Sequence, residues 1–248
     1  MFKNVGQGDT ILFRWRSLDK LKIGIIDCNR YQGRNPLLEE LRSIKEKFEI
    51  EFILITHGHI DHYSGIIDVL NFASSENIQI LNVASTLNPV IFPYLQITLA
   101  RSEKLQLVNL TETINAFHEK GLIKNIYPIF DSISQFEMGP GFILNCMFPK
   151  HQDYTKIGKI VLKYANKEIS TKPDLNNIAS IFRLDFSEGI ILFTSDAPVH
   201  ALNSLMKELN DVTCFLVQVP HHGSEKNHSN AVWSSIKKIE NCPAVISC

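Results

Sequence analysis

Thr56-His57-Gly58-His59-Ile60-Asp61-His62 is the stretch on which the reading of this chain turns. Three histidines and one carboxylate fall within six residues, directly after the β-branched run Glu51-Phe52-Ile53-Leu54-Ile55. Imidazole and carboxylate together suit zinc, manganese or iron. In an extended loop the alternating positions His57, His59 and Asp61 turn toward one side, and Gly58 permits the tight backbone this needs. His62 opens the next element and can face a second ion. The plain alternative is a polar surface loop with chance histidines. It leaves a dense cluster of polar groups without a compensating charge.

Other apolar runs end in the same way. Asp27 follows Ile23-Gly24-Ile25-Ile26, Asp196 closely follows Ile190-Ile191-Leu192-Phe193, and His221-His222 follow Phe215-Leu216-Val217-Gln218-Val219. Open α/β sheets place ligands outside the carboxyl ends of their strands. Strand ends that repeatedly carry Asp or His therefore suggest one shared site. Taken singly, Asp196 two residues before Pro198 is more often a helix cap, and the histidine pair reads equally well as a turn.

The strands expected from these patterns are Thr10 to Trp15, Lys22 to Ile26, Glu51 to Ile55, Phe142 to Phe148, Ile178 to Phe186, Ile190 to Thr194, Thr213 to Val219 and Ala244 to Ser247. Helices are expected from Pro36 to Phe48, where Leu37, Leu41, Ile44 and Phe48 recur at helical spacing, and from near Ser64, Pro198 to Leu209 and Asn230 to Ile239. The middle, Leu87 to Gln135, reads as a mostly helical, lid-like insertion, with Thr111 to Lys120 its clearest segment. Strands alternating with helices argue for α/β layers.

Composition narrows the class. At 248 residues, 44% hydrophobic and 21% charged, the chain suits one domain spanning residues 1–248. A formal net charge of −1 shows none of the overall positive charge common in nucleic-acid binders, though it leaves room for a local basic patch. The five cysteines are odd in number and none are spaced C-x-x-C, which argues for reduced thiols and a cytoplasmic protein rather than a disulfide scaffold. The first residues lack a signal-peptide apolar core, and no apolar run is long enough to span a bilayer.

His-x-His-x-Asp-His after a strand resembles the metallo-β-lactamase superfamily. The set Asn4-Val5-Gly6-Gln7-Gly8-Asp9, Ile25-Ile26-Asp27-Cys28, Asn176-Asn177 before Ser180-Ile181-Phe182-Arg183-Leu184, Thr194-Ser195-Asp196-Ala197 and Val219-Pro220-His221-His222-Gly223-Ser224 resembles one branch more specifically. That branch holds the soluble nuclease-like domain of ComEC competence proteins and a phosphorylcholine esterase. The resemblance implies a four-layer αββα sandwich and two divalent ions, zinc or manganese. It implies that His57 and His59 hold one ion, that Asp61, His62 and His222 hold the other, and that Asp196 bridges them. Asp27 would orient the histidine loop through hydrogen bonds. His221 would touch a substrate phosphate or protonate the leaving group. Either histidine of the pair can be the ligand; the His-Gly ending favours His222.

Two departures stand out. Many relatives carry a further ligand histidine before the bridging aspartate, where this chain reads Met147-Phe148-Pro149-Lys150-His151, so that His151 is either a substitute or a solvated loop residue. Relatives also continue beyond the last strand, whereas this sequence stops at Cys248, which suggests a fragment or a trimmed domain of a larger protein or complex. The implied reaction is hydrolysis of a phosphodiester by a hydroxide held between the metals, with Asp61 and His221 as catalytic residues. Nucleic acid is the favoured substrate. Lys150, Lys156, Lys159, Lys163, Lys167 and Lys172 lie close together, with Tyr154 and Tyr164 among them for base stacking. The alternatives are an esterase of small phosphodiesters or phosphocholine, a weakly active metal-binding module, and, for the lysines alone, a solvated loop.

Overall fold

The structure, a computed structural model, describes residues 1–87, 99–131, 135–209, 213–228, 230–235 and 243–247. The chain divides into two compact units, Met1–Pro128 with Gly158–Pro173, and Ile129–Ile157 with Asp174–Ser247. Each is built on one sheet, so the α/β class is observed as two sheets with helices.

In the first unit, β1 (Thr10–Ser17) and β2 (Lys20–Cys28) form an antiparallel hairpin. Strands β3 (Phe48–Ile55), β4 (Ile80–Ser85) and β5 (Ile123–Pro128) extend it in parallel, in the order β1-β2-β3-β4-β5. Parallel neighbours need crossovers. These contain α1 (Pro36–Ser43), α2 (Ile60–Tyr63) with α3 (Ile66–Ser75), and α4 (Arg101–Glu119). Asn35 caps α1 by accepting from the Leu38 amide, and the helix stops at Ile44, whose backbone is extended. The expected helix through Phe48 is therefore too long. Phe48 is in phase with the helical stripe, yet it pairs with Leu21 and opens β3.

The middle of the chain also differs from expectation. Helix α4 runs well beyond Thr111–Lys120, and β5 then joins β4 as the edge of the first sheet, burying Ile123. That part is sheet rather than helix. Residues 88–98 and 132–134 of the same stretch lie outside the described residues.

The second unit orders its strands β11-β10-β9-β8-β7-β6. Strands β6 (Gln135–Gly139), β7 (Phe142–Phe148), β8 (Ile181–Phe186) and β9 (Gly189–Phe193) are antiparallel, and β10 (Cys214–Gln218) and β11 (Ala244–Val245) continue in parallel. Helix α5 (His151–Ala165) lies between β7 and β8 in sequence, α6 (Val199–Leu209) between β9 and β10, and α7 (Asn230–Ser235) between β10 and β11. The amphipathic α6 lays Ala201, Leu202, Leu205 and Leu209 on Ile181, Ile190, Leu192 and Val217, which is the core of this unit. The strand expected from Ile178 begins instead at Ile181. Leu175–Ile178 is a 3-10 turn capped by Asp174. The end of the last expected helix, residues 236–239, lies outside the described residues, as do Cys242 and Cys248. Cys28, Cys146 and Cys214 are buried thiols. No helix among the described residues is long and apolar enough to cross a membrane.

Candidate metal centre

In the first unit β2 and β3 run parallel with Ile26 beside Leu54, so Asp27 and His57 leave the sheet at the same edge. Ile11 pairs with Ile26 and Thr10 with Cys28, which leaves Asp27 as the extra residue of a β-bulge, with φ +56°. Such bulges re-aim side chains. Here the re-aimed carboxylate is fully buried. Its Oδ1 accepts from the Thr56 amide at 2.8 Å, and its Oδ2 accepts from the Thr56 hydroxyl at 2.6 Å and from His62 Nδ1 at 2.7 Å. Burial pushes the Asp27 carboxyl above its ordinary value, and the His62 ring opposes that rise.

An acceptor on Nδ1 draws the ring hydrogen there, so that in the neutral ring Nε2 carries none. His57 is held similarly. Thr56 Oγ1 gives its hydrogen to Asp27 and accepts from His57 Nδ1 at 3.2 Å, which in the neutral ring makes His57 Nε2 an acceptor, 3.0 Å from His59 Nδ1. Two donors on one tetrahedral zinc stand about 3.3 Å apart, so this spacing suits a shared cation as well as a hydrogen bond. Donor atoms of Asp61 and His62 lie within 4.8 Å of each other. His57 and His62 are buried, while His59 and Asp61 are half-buried at the mouth of the loop.

The Gly6-Gln7-Gly8-Asp9 segment holds this loop from outside. The Asp9 amide donates to the Asp61 carbonyl at 3.3 Å, and the buried Asp9 carboxylate stands 3.9 Å from His62 Nδ1. Gly8, at φ +117°, is needed for this approach, since a Cβ there would lie 2.4 Å from the Asp61 carbonyl oxygen. Asn29 donates to the carbonyls of Val5 and Gln7 and accepts from Ser64, joining the segment to the end of α2.

In the second unit the ends of β9 and β10 lie side by side because those strands are parallel. The buried Gln218 accepts from the amides of Thr194 and Ser195 at 3.0 and 3.1 Å, and the His221 amide donates to the Ser195 carbonyl at 3.0 Å. These bonds place His221 Nε2 3.6 Å and His222 Nε2 3.4 Å from the two oxygens of Asp196. His221 Nδ1 is 2.9 Å from Asn227 Oδ1, and His222 Nδ1 is 3.2 Å from the Ser247 carbonyl. Ser195, His221 and His222 all have φ between +45° and +51°, a region that costs a non-glycine residue about 1–3 kcal/mol. The surrounding hydrogen bonds hold it there.

In the first unit His57 and His62, and in the second His221 and His222, are tied through Nδ1 and stand beside carboxylates. Such clusters suit divalent metals. The remaining expected residues are placed as follows. Lys150 precedes α5 and lies 4.0 Å from Glu208, and Lys156 pairs with Asp153. Lys159 is exposed, as is His151, which begins α5 and packs against Phe130. Lys156, Lys159 and Lys163 of the basic stretch therefore lie on a helix, and Lys150, Lys167 and Lys172 lie outside it. Lys156, Lys159 and Lys163 form a stripe opposite the buried Tyr154, Ile157 and Val161. Tyr154 is lost as a stacking ring, because it is buried and its hydroxyl donates to the Ile129 carbonyl at 2.7 Å. Asp9, Asn29, Thr56, Gln218, Asn227 and Ser247 are site-forming residues to which the sequence reading assigned no role.

No protein-family model and no curated protein matches the chain. Among solved structures it is similar to the metallo-β-lactamase fold protein YhfI from Bacillus subtilis, at 12% identity and TM-score 0.44, over 88% of this chain and 69% of that one. It is similar to Zn(2+)-bound PqqB from Methylobacterium extorquens, at 9% identity and TM-score 0.45, over 85% of this chain and 58% of that one. It is also similar to a diphosphatase of the PhnP family, at 16% identity and TM-score 0.37, over 86% of this chain and 60% of that one.

Proposed function

We propose that this chain is a metal-dependent hydrolase of the metallo-β-lactamase superfamily, of the ComEC-like branch, that cleaves phosphodiesters and takes nucleic acid as substrate. The observation that carries the reading is the buried chain of hydrogen bonds His57–Thr56–Asp27–His62, which holds two imidazoles by their Nδ1 atoms and so fixes where each Nε2 points. Orienting partners of this kind are what metal-ligating histidines require. His57, His59, Asp61 and His62 from the first unit, and Asp196 and His222 from the second, would hold two divalent ions, zinc or manganese.

When bound, such ions supply positive charge against a phosphoryl group and a nucleophile at neutral pH. The chain's own part is to keep the donors oriented and to move a proton. His221 is the more exposed of the pair, with 33% of its side chain accessible against 8% for His222. In its imidazolium form its Nε2 would give a proton to a leaving alkoxide, and the ring left behind would keep its hydrogen on Nδ1. The lysine stripe on α5 supports a polyanionic substrate. The burial of Tyr154 removes one of its stacking partners, so an esterase of small phosphodiesters is the second reading.

Bulk metal analysis with an aryl phosphodiester assay tests the first step, and comparison of DNA, RNA and the aryl ester tests the second. Metal-dependent turnover of the aryl ester with faster cutting of nucleic acid is the expected result. Turnover of the small ester alone selects the esterase. Metal without turnover of any phosphodiester leaves a binding module, and a chain that takes up no divalent ion overturns the proposal.

A further inference from the structure

We infer that Asn227 is a positioning residue, which fixes the His221 ring with its hydrogen on Nδ1 and turns a bare Nε2 toward the Asp196 carboxylate. The inference rests on the proposed roles of His221 and Asp196. Asn227 ends the short 3-10 turn Glu225–Asn227 and is 5% exposed. Its amide nitrogen donates to the carbonyl of Ala197 at 2.9 Å and to that of Asp196 at 3.4 Å. Carbonyls can only accept, so the nitrogen end of the amide must face them. This settles the orientation that an amide otherwise leaves open. Oδ1 then faces His221 Nδ1 at 2.9 Å. An amide oxygen also only accepts, so Nδ1 carries the hydrogen, and in the neutral ring Nε2 is bare, 3.6 Å from Asp196 Oδ2.

The same side chain thus holds the Asp196 loop from behind and sets which His221 nitrogen meets the reacting groups. The backbone of His221 is left-handed, at φ +49° with its amide on the Ser195 carbonyl, and the Asn227 bond holds the ring from its Nδ1 side.

The test is long-range proton–nitrogen NMR of the neutral His221 ring in the full chain, without metal and with zinc. Wild type should show Nδ1 protonated and Nε2 bare. Asn227→Ala should shift the ring toward the Nε2–H form that histidine prefers in water. Asn227→Asp keeps an acceptor for His221 but lacks the amide donor to the two carbonyls, so it should retain the wild-type pattern. A residue that only held the loop would fail equally in both variants. On an aryl phosphodiester, Asn227→Ala should lower kcat about 10- to 100-fold with KM little changed, and Asn227→Asp should recover part of the loss. A wild-type ring protonated on Nε2, or an Asn227→Ala ring still protonated on Nδ1, overturns the inference. If Asn227→Ala does not fold, wild type and Asn227→Asp still decide. If the tautomer follows Asn227 while wild type binds no zinc and cleaves nothing, the hydrolase reading fails and the positioning role stands.

Discussion

At the scale of single residues, His221 and His222 share a backbone conformation but differ in what ties their rings. His222 gives Nδ1 to the Ser247 carbonyl and is nearly buried, as a ligand should be, whereas His221 is tied to Asn227 and more exposed. His222→Ala should therefore lose both bound metal and activity. His221→Ala should lower turnover by about a hundredfold to ten-thousandfold and keep its metal. Zinc per chain and kcat on one phosphodiester check both, and the opposite pattern reverses the assignment. The histidine cluster was legible because its residues are adjacent in sequence and chemically unusual together. Asp27 was legible from its place after an apolar run, and its orienting role through resemblance, but the bulge that aims it was not. Asn29, Gln218 and Asn227 had no signature. A single amide in a loop or at a strand end reads as turn chemistry, and its role here comes from partners 20 or more residues away in most of its bonds, such as Gln218 to Thr194 and Asn227 to Ala197.

At the scale of elements, β2 and β3 meet through Gly24. A Cβ at Gly24 would lie 2.2 Å from the tip of the Phe52 ring, which is buried and packed near Phe13 and Trp15 with ring centroids at 5.9 Å. Gly24→Ala should cost about 1–3 kcal/mol by overpacking. Adding Phe52→Leu should return part of it, a non-additivity that urea midpoints of the two single variants and the double variant would show. Simple addition of the two losses rejects the contact as the cause. On the same two strands Glu49 bonds Lys20 at 2.8 Å and Lys22 at 2.7 Å, and these partners hold its carboxyl at about 2. A depressed carboxylate contributes stability above its ordinary value of 4.5 and loses it as pH falls toward about 2. Glu49→Gln should thus be less stable than wild type near neutrality, with the gap closing through that window. A gap that stays constant down to pH 2 excludes the linkage. The elements hardest to read were β4 and β5. Asn82 and Asn125 interrupt their apolar patterns, and the two amides bond each other and neighbouring backbone across the sheet, so the polar breaks are satisfied within the ladder. Phe48 misled in the opposite sense, being in phase with a helix that had already ended.

At the scale of the whole molecule, each compact unit carries its own donors: His57, His59, Asp61 and His62 in the first, Asp196 and His222 in the second. The order of motifs along the chain is the reason for proposing that they serve one set of metal sites. Thermodynamic linkage gives that assignment a direct test. A ligand that binds only the folded chain adds about 2.7 kcal/mol at a hundredfold excess over Kd, and in a chain of this size each kcal/mol moves the thermal midpoint about 2–4 °C. Zinc should therefore raise the midpoint of the wild-type chain by several degrees, and a chelator should reverse it. The paired variants Asp61→Ala with His62→Ala, and Asp196→Ala with His222→Ala, each remove donors from one unit only. Measured against its own zinc-free midpoint, either pair should lose most of the rise if all the donors serve one set of sites. Donor sets that act independently would each leave about half of the rise with the other intact. That result would keep metal binding and discard the shared set, while a wild-type midpoint indifferent to zinc, manganese and chelator would discard both.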